Sequence, residues 1–198
     1  MLCERLKSLS DDEQQLAIDI LLKNAGGLTK IQDLADMVLD TIDKLAQEPY
    51  ADKKKILSRV IQILHYHGEK FPQEVRQRWE QIRDRLTGND FPSLIKRYVG
   101  LNLFEDTYDE QGNLLAQTQL RIEELAQKAL TDTHHLKLEL NWLVTTEAKN
   151  GYQFGYALGK KDTKFSLLPM IIEAQKNVEK NASVYFLGGY FHALSEQD

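Results

Sequence analysis

One cysteine, four prolines and eleven glycines are all that this 198-residue chain holds of the residue types that staple, break or loosen a backbone. Cys3 alone cannot close an internal disulfide and leaves no cysteine-based zinc cluster, so a reducing compartment is the simplest fit. Scarce Pro and Gly favour long helices with few irregular excursions, since both residues disrupt helix interiors. No apolar run approaches the roughly 20 residues of a membrane span. The opening "MLCERLKSLSDDE" carries charges where a signal peptide would have its apolar core. The sequence reads as cytoplasmic, with no membrane partner.

Its hydrophobic share of 42% and charged share of 28% are those of a folded soluble protein. The length suits one domain, 1-198, rather than two full ones. The net charge of -5 is unevenly spread: residues 1–50 hold 5 bases and 10 acids, whereas residues 51–100 hold 11 bases and 6 acids. Such a basic quarter marks either an anionic partner or a helix that complements acidic neighbours within the fold.

Helix signals recur along the chain. Ser10 and Glu13 form a capping box ahead of a helix expected to end at Gly26-Gly27. Ile31, Leu34, Val38, Ile42 and Leu45 mark the apolar face of the next, which should end near Pro49. Asp52 caps a third, with Gly68 as its left-handed stop, and Pro72 opens a fourth along Val75, Trp79, Ile82 and Leu86 with Gly88 beyond it. Asp90 precedes a short helix, and "LAQTQLRIEELAQKAL" resumes helical spacing after the acidic loop "FEDTYDEQGN". Leu136 to Val144 alternates like a strand that Val99 to Phe104 could pair with, but its length suits a helix capped by Thr133 and ended by Asn150-Gly151. On that helix Leu136, Leu140 and Leu143 line one side and Leu138 and Trp142 another, predicting burial on both. "FSLLPMIIEAQKNV" and "SVYFLGGYFHAL" read as an antiparallel pair.

Three near-motifs fail on geometry. "GYQFGYALGKKD" spaces its glycines by four, but Gly155 and Gly159 enclose three residues where a phosphate loop needs four, and Lys161 stands where that loop has its hydroxyl. Glycines four apart instead share one helix face and admit a second backbone. His65 and His67 point about 200° apart on a helix, which prevents convergence on a metal, and a helix C-terminus favours a protonated imidazole there. Glu105, Asp106, Asp109 and Glu110 precede Gly112, but a calcium loop in that register would begin and end on Thr107 and Thr118. No motif asks for a cofactor or metal.

Within the basic quarter, Arg76 and Arg83 fall on one flank of the apolar stripe, with Arg78 and Arg85 on the other, where arginine stems cover a core edge. Lys53, Lys54, Lys55, Lys96 and Arg97 extend the set of candidate nucleic-acid contacts.

In the C-terminal segment, Val184, Leu187, Phe191 and Leu194 form one apolar stripe and Phe186 and Tyr190 extend a second face beside it; either one face packs back on the preceding pair or both fold inward. Tyr185, Phe186, Tyr190 and Phe191 are therefore the candidate protein interface, since aromatic anchors are what interface hot spots favour. Leu2, Leu6 and Leu9 start an apolar pattern near the other end, so neighbouring repeats, another subunit or a partner helix would cover both ends. "LLPMIIEAQKNVEKNASVYFLGGYFHAL" resembles HEAT-like α-helical repeats. The resemblance implies an all-α fold of stacked antiparallel helix pairs, an α-solenoid or HEAT-like array with room for one minor β-hairpin. The apolar pattern at both ends fits a segment of a larger protein or assembly. The leading expectation is a non-enzymatic protein–protein interaction or scaffold module. A nucleic-acid-binding helical domain using residues 53-97 is the alternative, and an enzyme whose groups converge only in space is the third.

Overall fold

The computed structural model describes residues 6, 8–101, 107–108, 114–115 and 117–196. Ten α-helices account for most of them: α1 (Asp11–Leu28), α2 (Gln32–Leu45), α3 (Lys53–His67), α4 (Gln73–Thr87), α5 (Phe91–Tyr98), α6 (Gln117–Thr131), α7 (Thr133–Leu143), α8 (Gly151–Lys161), α9 (Leu168–Asn177) and α10 (Tyr185–Ser195). A two-residue antiparallel ladder pairs β1 (Thr107–Tyr108) with β2 (Leu114–Leu115). Most of the acidic stretch around it, and Leu2, lie outside the described residues. Where the sequence suggests one domain, the chain gathers into two compact units, Met1–Gly88 and Asn89–Asp198, each with its own apolar core.

Caps set several helix boundaries as expected. The Ser10 amide donates to the Glu13 carboxylate at 2.9 Å, Asp52 accepts from the Lys55 amide at 3.0 Å and Asp90 from the Ser93 amide at 2.9 Å. Other ends differ for local reasons. The first helix runs through Gly26-Gly27 to Leu28, and Thr29 ends it by bonding its hydroxyl back to the Ala25 carbonyl at 2.9 Å. The second stops at Leu45, short of Pro49. Gly68 is right-handed, at φ -55°, and passes α3 into a short 3-10 turn, Gly68–Lys70. Among the described glycines only Gly88 has a positive φ, at 73°, and supplies a left-handed stop. Asp132, not Thr133, caps α7, accepting from the amides of His134 at 3.2 Å and His135 at 3.4 Å.

In the first unit α1 packs on α2 and α3, α2 on α4, and α3 on α4, around Ile18, Leu22, Leu39, Ile42, Ile56, Val60 and Trp79. The Trp79 indole donates to the Thr29 hydroxyl at 3.3 Å inside this core. Along its edge the acidic face of α2 meets the basic α4: Arg78 bonds Asp36 at 2.6 Å and Asp40 at 2.5 Å, and Arg85 bonds Asp43 at 2.6 Å.

In the second unit α5 packs on α6 and α7, α6 on α7 and α8, α7 on α9, α8 on α10, and α9 on α10. Leu136, Leu140 and Leu143 bury as expected, but Leu138 is exposed, so α7 is buried on one side only. Trp142 is half-buried beneath the Lys96 ammonium, 3.7 Å from its ring centre. The Asn150 side chain donates to the carbonyls of Tyr98 at 2.9 Å and Leu101 at 3.0 Å, tying the end of α5 to the start of α8. No described helix is long and apolar enough to cross a membrane.

Candidate interaction surface on the α8–α10 pair

The segment "GYQFGYALGKK" is helical throughout, and its glycine face is covered by another backbone. A Cβ placed on Gly155 would lie 2.1 Å from the Phe186 carbonyl oxygen; one on Gly159 would lie 2.7 Å from that of Tyr190; one on Gly189 would lie 2.1 Å from that of Tyr152. The register advances in the same sense along both chains, so α8 and α10 run parallel and touch backbone to backbone. Phe154 and Phe186 stack beside this seam with ring centres 5.8 Å apart.

This packing decides which face of α10 is fully buried, while Leu187 and Leu194 of the other stripe are half-buried against the same core. Phe186 and Tyr190, proposed from sequence as interface residues, are fully buried with Gly189 and Ala193, because the close approach centres the buried face on Gly189. Val184, at 66% exposure, and Phe191, at 44%, point outward instead, with Tyr185 at 65%. Between them Gly188 faces open space, with nothing within 4 Å of where its Cβ would be. Only Tyr185 and Phe191 remain available from the sequence-based set. The missed signal was the pair of motifs read together: glycines every four residues in one helix and a Gly-Gly step in another.

A buried carboxylate locks the arrangement. Asp162, at the C-cap of α8, accepts from the Tyr190 hydroxyl at 2.5 Å, the Leu167 amide at 2.8 Å, and the Ser166 hydroxyl and amide at 2.8 and 3.1 Å. Burial by itself would raise the Asp162 carboxyl. The Tyr190 hydroxyl and the donors of Leu167 and Ser166 outweigh it and hold the group below its ordinary value. Burial and this carboxylate push the Tyr190 phenol well above its own. The turn that Asp162 organises places Phe165 at φ 57°, a left-handed conformation uncommon for a bulky residue.

Along one flank of the pair runs a polar ridge. Tyr152 contacts His192 Nδ1 at 2.5 Å, and His192 Nε2 lies 3.3 Å from one Glu196 oxygen. The other Glu196 oxygen accepts from Tyr156 at 2.6 Å and Lys160 at 2.6 Å. The Lys160 and Tyr156 donors hold the Glu196 carboxyl below its usual value, and Glu196 in turn raises Tyr156 and Lys160.

The candidate nucleic-acid contacts are largely engaged within the protein. Lys55 pairs with Asp19 at 2.5 Å, Arg76 with Glu80 at 3.0 Å, Arg83 with Asp84 at 2.7 Å and Lys96 with Glu139 at 2.7 Å. Arg97 is buried, while Lys53 and Lys54 are exposed on the first turn of α3. His67 departs from the expectation of a favoured imidazolium. Burial lowers it first, and the charges of Lys30, Lys70 and Arg59 lower it further, with the Lys30 ammonium 3.4 Å from Nδ1. Among the described residues no three His, Cys, Asp or Glu side chains are grouped to hold a metal ion. No family model, curated protein or solved structure matches the chain.

Proposed function

We propose that the chain is a helical-repeat interaction module of HEAT-like, two-layer character, and that the outward face of α10 is where a partner helix docks. Contacts between alternate helices support the stacked reading: α1 with α3, α2 with α4, α5 with α7, α6 with α8, α7 with α9 and α8 with α10. In a two-layer stack each helix meets the next but one, and those alternate helices run parallel, as α8 and α10 do. The observation that carries the docking surface is the exposed Val184, Tyr185 and Phe191 around the open Gly188, on a helix whose opposite face is already buried. Aromatic side chains beside a glycine let a second helix approach closely and cover large apolar area at low entropic cost. Ion pairing of the basic residues with the fold's own carboxylates favours this reading over nucleic-acid binding.

The test substitutes Tyr185→Ser and Phe191→Ser together, leaving Phe186 and Tyr190 in place. Unchanged helicity by circular dichroism, with loss of self-association in sedimentation or of a partner retained by the unsubstituted chain, supports the reading. Equal retention by both chains, or a monomer of the unsubstituted chain that retains nothing, overturns it.

A further inference from the structure

The polar ridge on α8 and α10 contains a hydroxyl, an imidazole and a carboxylate in series. His192 Nε2 lies 3.3 Å from a Glu196 oxygen, within ion-pair distance, and a carboxylate beside Nε2 favours a hydrogen on that nitrogen. In the tautomer with its hydrogen on Nε2, Nδ1 presents its lone pair to the Tyr152 hydroxyl, 2.5 Å away, and the hydroxyl donates. Glu196 is itself positioned by Tyr156 and Lys160, both at 2.6 Å. A hydroxyl within reach of a base, with that base oriented by a third group, is the arrangement that activates a weak nucleophile. Helix pairing does not require it, since glycine contacts and buried aromatics already join α8 to α10. At 40% exposure, Tyr152 is open to reagents from solvent.

We infer that Tyr152 is a base-assisted acyl-acceptor site, taking acyl groups from activated esters with His192 as the base and Glu196 as its positioning residue. The Tyr152 oxygen attacks the carbonyl carbon and forms the new C–O bond as its proton passes to His192 Nδ1. The bond to the leaving group breaks with its electron pair, releasing the alcohol component as its anion. The imidazolium returns that proton to solvent. The product is a stoichiometric O-acyl-tyrosine.

The full chain is treated with p-nitrophenyl acetate, and acetylation at each tyrosine is followed by peptide mass spectrometry. Hydroxylamine treatment distinguishes the labile tyrosine ester from a stable amide on Lys160. Tyr185, at 65% exposure, and Tyr66, at 59%, serve as internal references that are more open than Tyr152. The expected result is acetylation of Tyr152 on the order of tenfold faster than either, below the hundredfold or more of enclosed general-base sites. His192→Phe should reduce Tyr152 to the reference rate with helicity retained. Glu196→Gln should slow it less. The pH dependence of the Tyr152 rate should differ between His192→Phe and the unsubstituted chain, although the surrounding Tyr156, Lys160 and Glu196 are unchanged in that variant. A Tyr152 rate no greater than those of Tyr185 and Tyr66, or one unaffected by His192→Phe, overturns the inference.

Discussion

Replacing Gly155 by alanine isolates the contact on which the α8–α10 pair depends. The added Cβ would lie 2.1 Å from the Phe186 carbonyl oxygen, whereas carbon and carbonyl oxygen rest about 3.3 Å apart. That oxygen is backbone and cannot rotate aside, so the helices must part by about 1 Å. A gap of that size forfeits about a quarter to a half of each dispersion contact along the seam, including those beside the Phe154–Phe186 stack. Overpacking costs about 1 to 3 kcal/mol, and the immovable neighbour places this site at the upper end. Alanine's better helix propensity returns about 1 kcal/mol, leaving a net loss of about 2 kcal/mol. Gly188→Ala, one helix away and facing open space, should instead gain about 0.5 to 1 kcal/mol. Urea denaturation followed by circular dichroism measures both, and the two substitutions should move the transition midpoint in opposite directions. If Gly155→Ala is as stable as Gly188→Ala, the backbone-to-backbone packing is wrong.

Tyr190→Phe removes one donor from buried Asp162 and should cost about 1 to 3 kcal/mol in the same assay. Because Asp162 is held below its ordinary value of 3.8, its stabilisation is present above that pH and lost as pH falls through the lower folded value. Asp162→Asn should therefore flatten the acid limb of a stability–pH curve, and an unchanged limb would assign acid sensitivity elsewhere. On the first unit, Arg78→Ala should cost at most about 1 kcal/mol despite two short ion pairs, because the Asp36 and Asp40 carboxylates are exposed. The loss should shrink in high salt; a larger, salt-independent loss would show that the Arg78 stem, not its charge, holds α2 to α4.

Local chemistry determined most of the helices. Ser10, Asp52 and Asp90 cap their own helix starts, and the three- and four-residue spacing from Val38 to Leu45 needs no distant information to specify a buried face. The choice of helix over strand for Leu136 to Val144 likewise followed from length, and a helix forms there. Helix ends were less legible, because Gly26, Gly27 and Gly68 are tolerated inside continuing helical turns, and Thr29 stops α1 through a bond to its own turn. The faces of α10 lay beyond sequence altogether. Periodicity showed two apolar stripes on that helix without ranking them. The ranking came from Gly155 and Gly159, some thirty residues away, whose missing side chains let α10 settle on Gly189 and bury Phe186 and Tyr190. Likewise Asp162 reads as one more surface acid in "GKKDTKF" until Tyr190 and the turn at Ser166 and Leu167 enclose it. Propensity and capping act within a few residues and are written locally, whereas the choice between two equally apolar faces is made by which one finds a complementary surface.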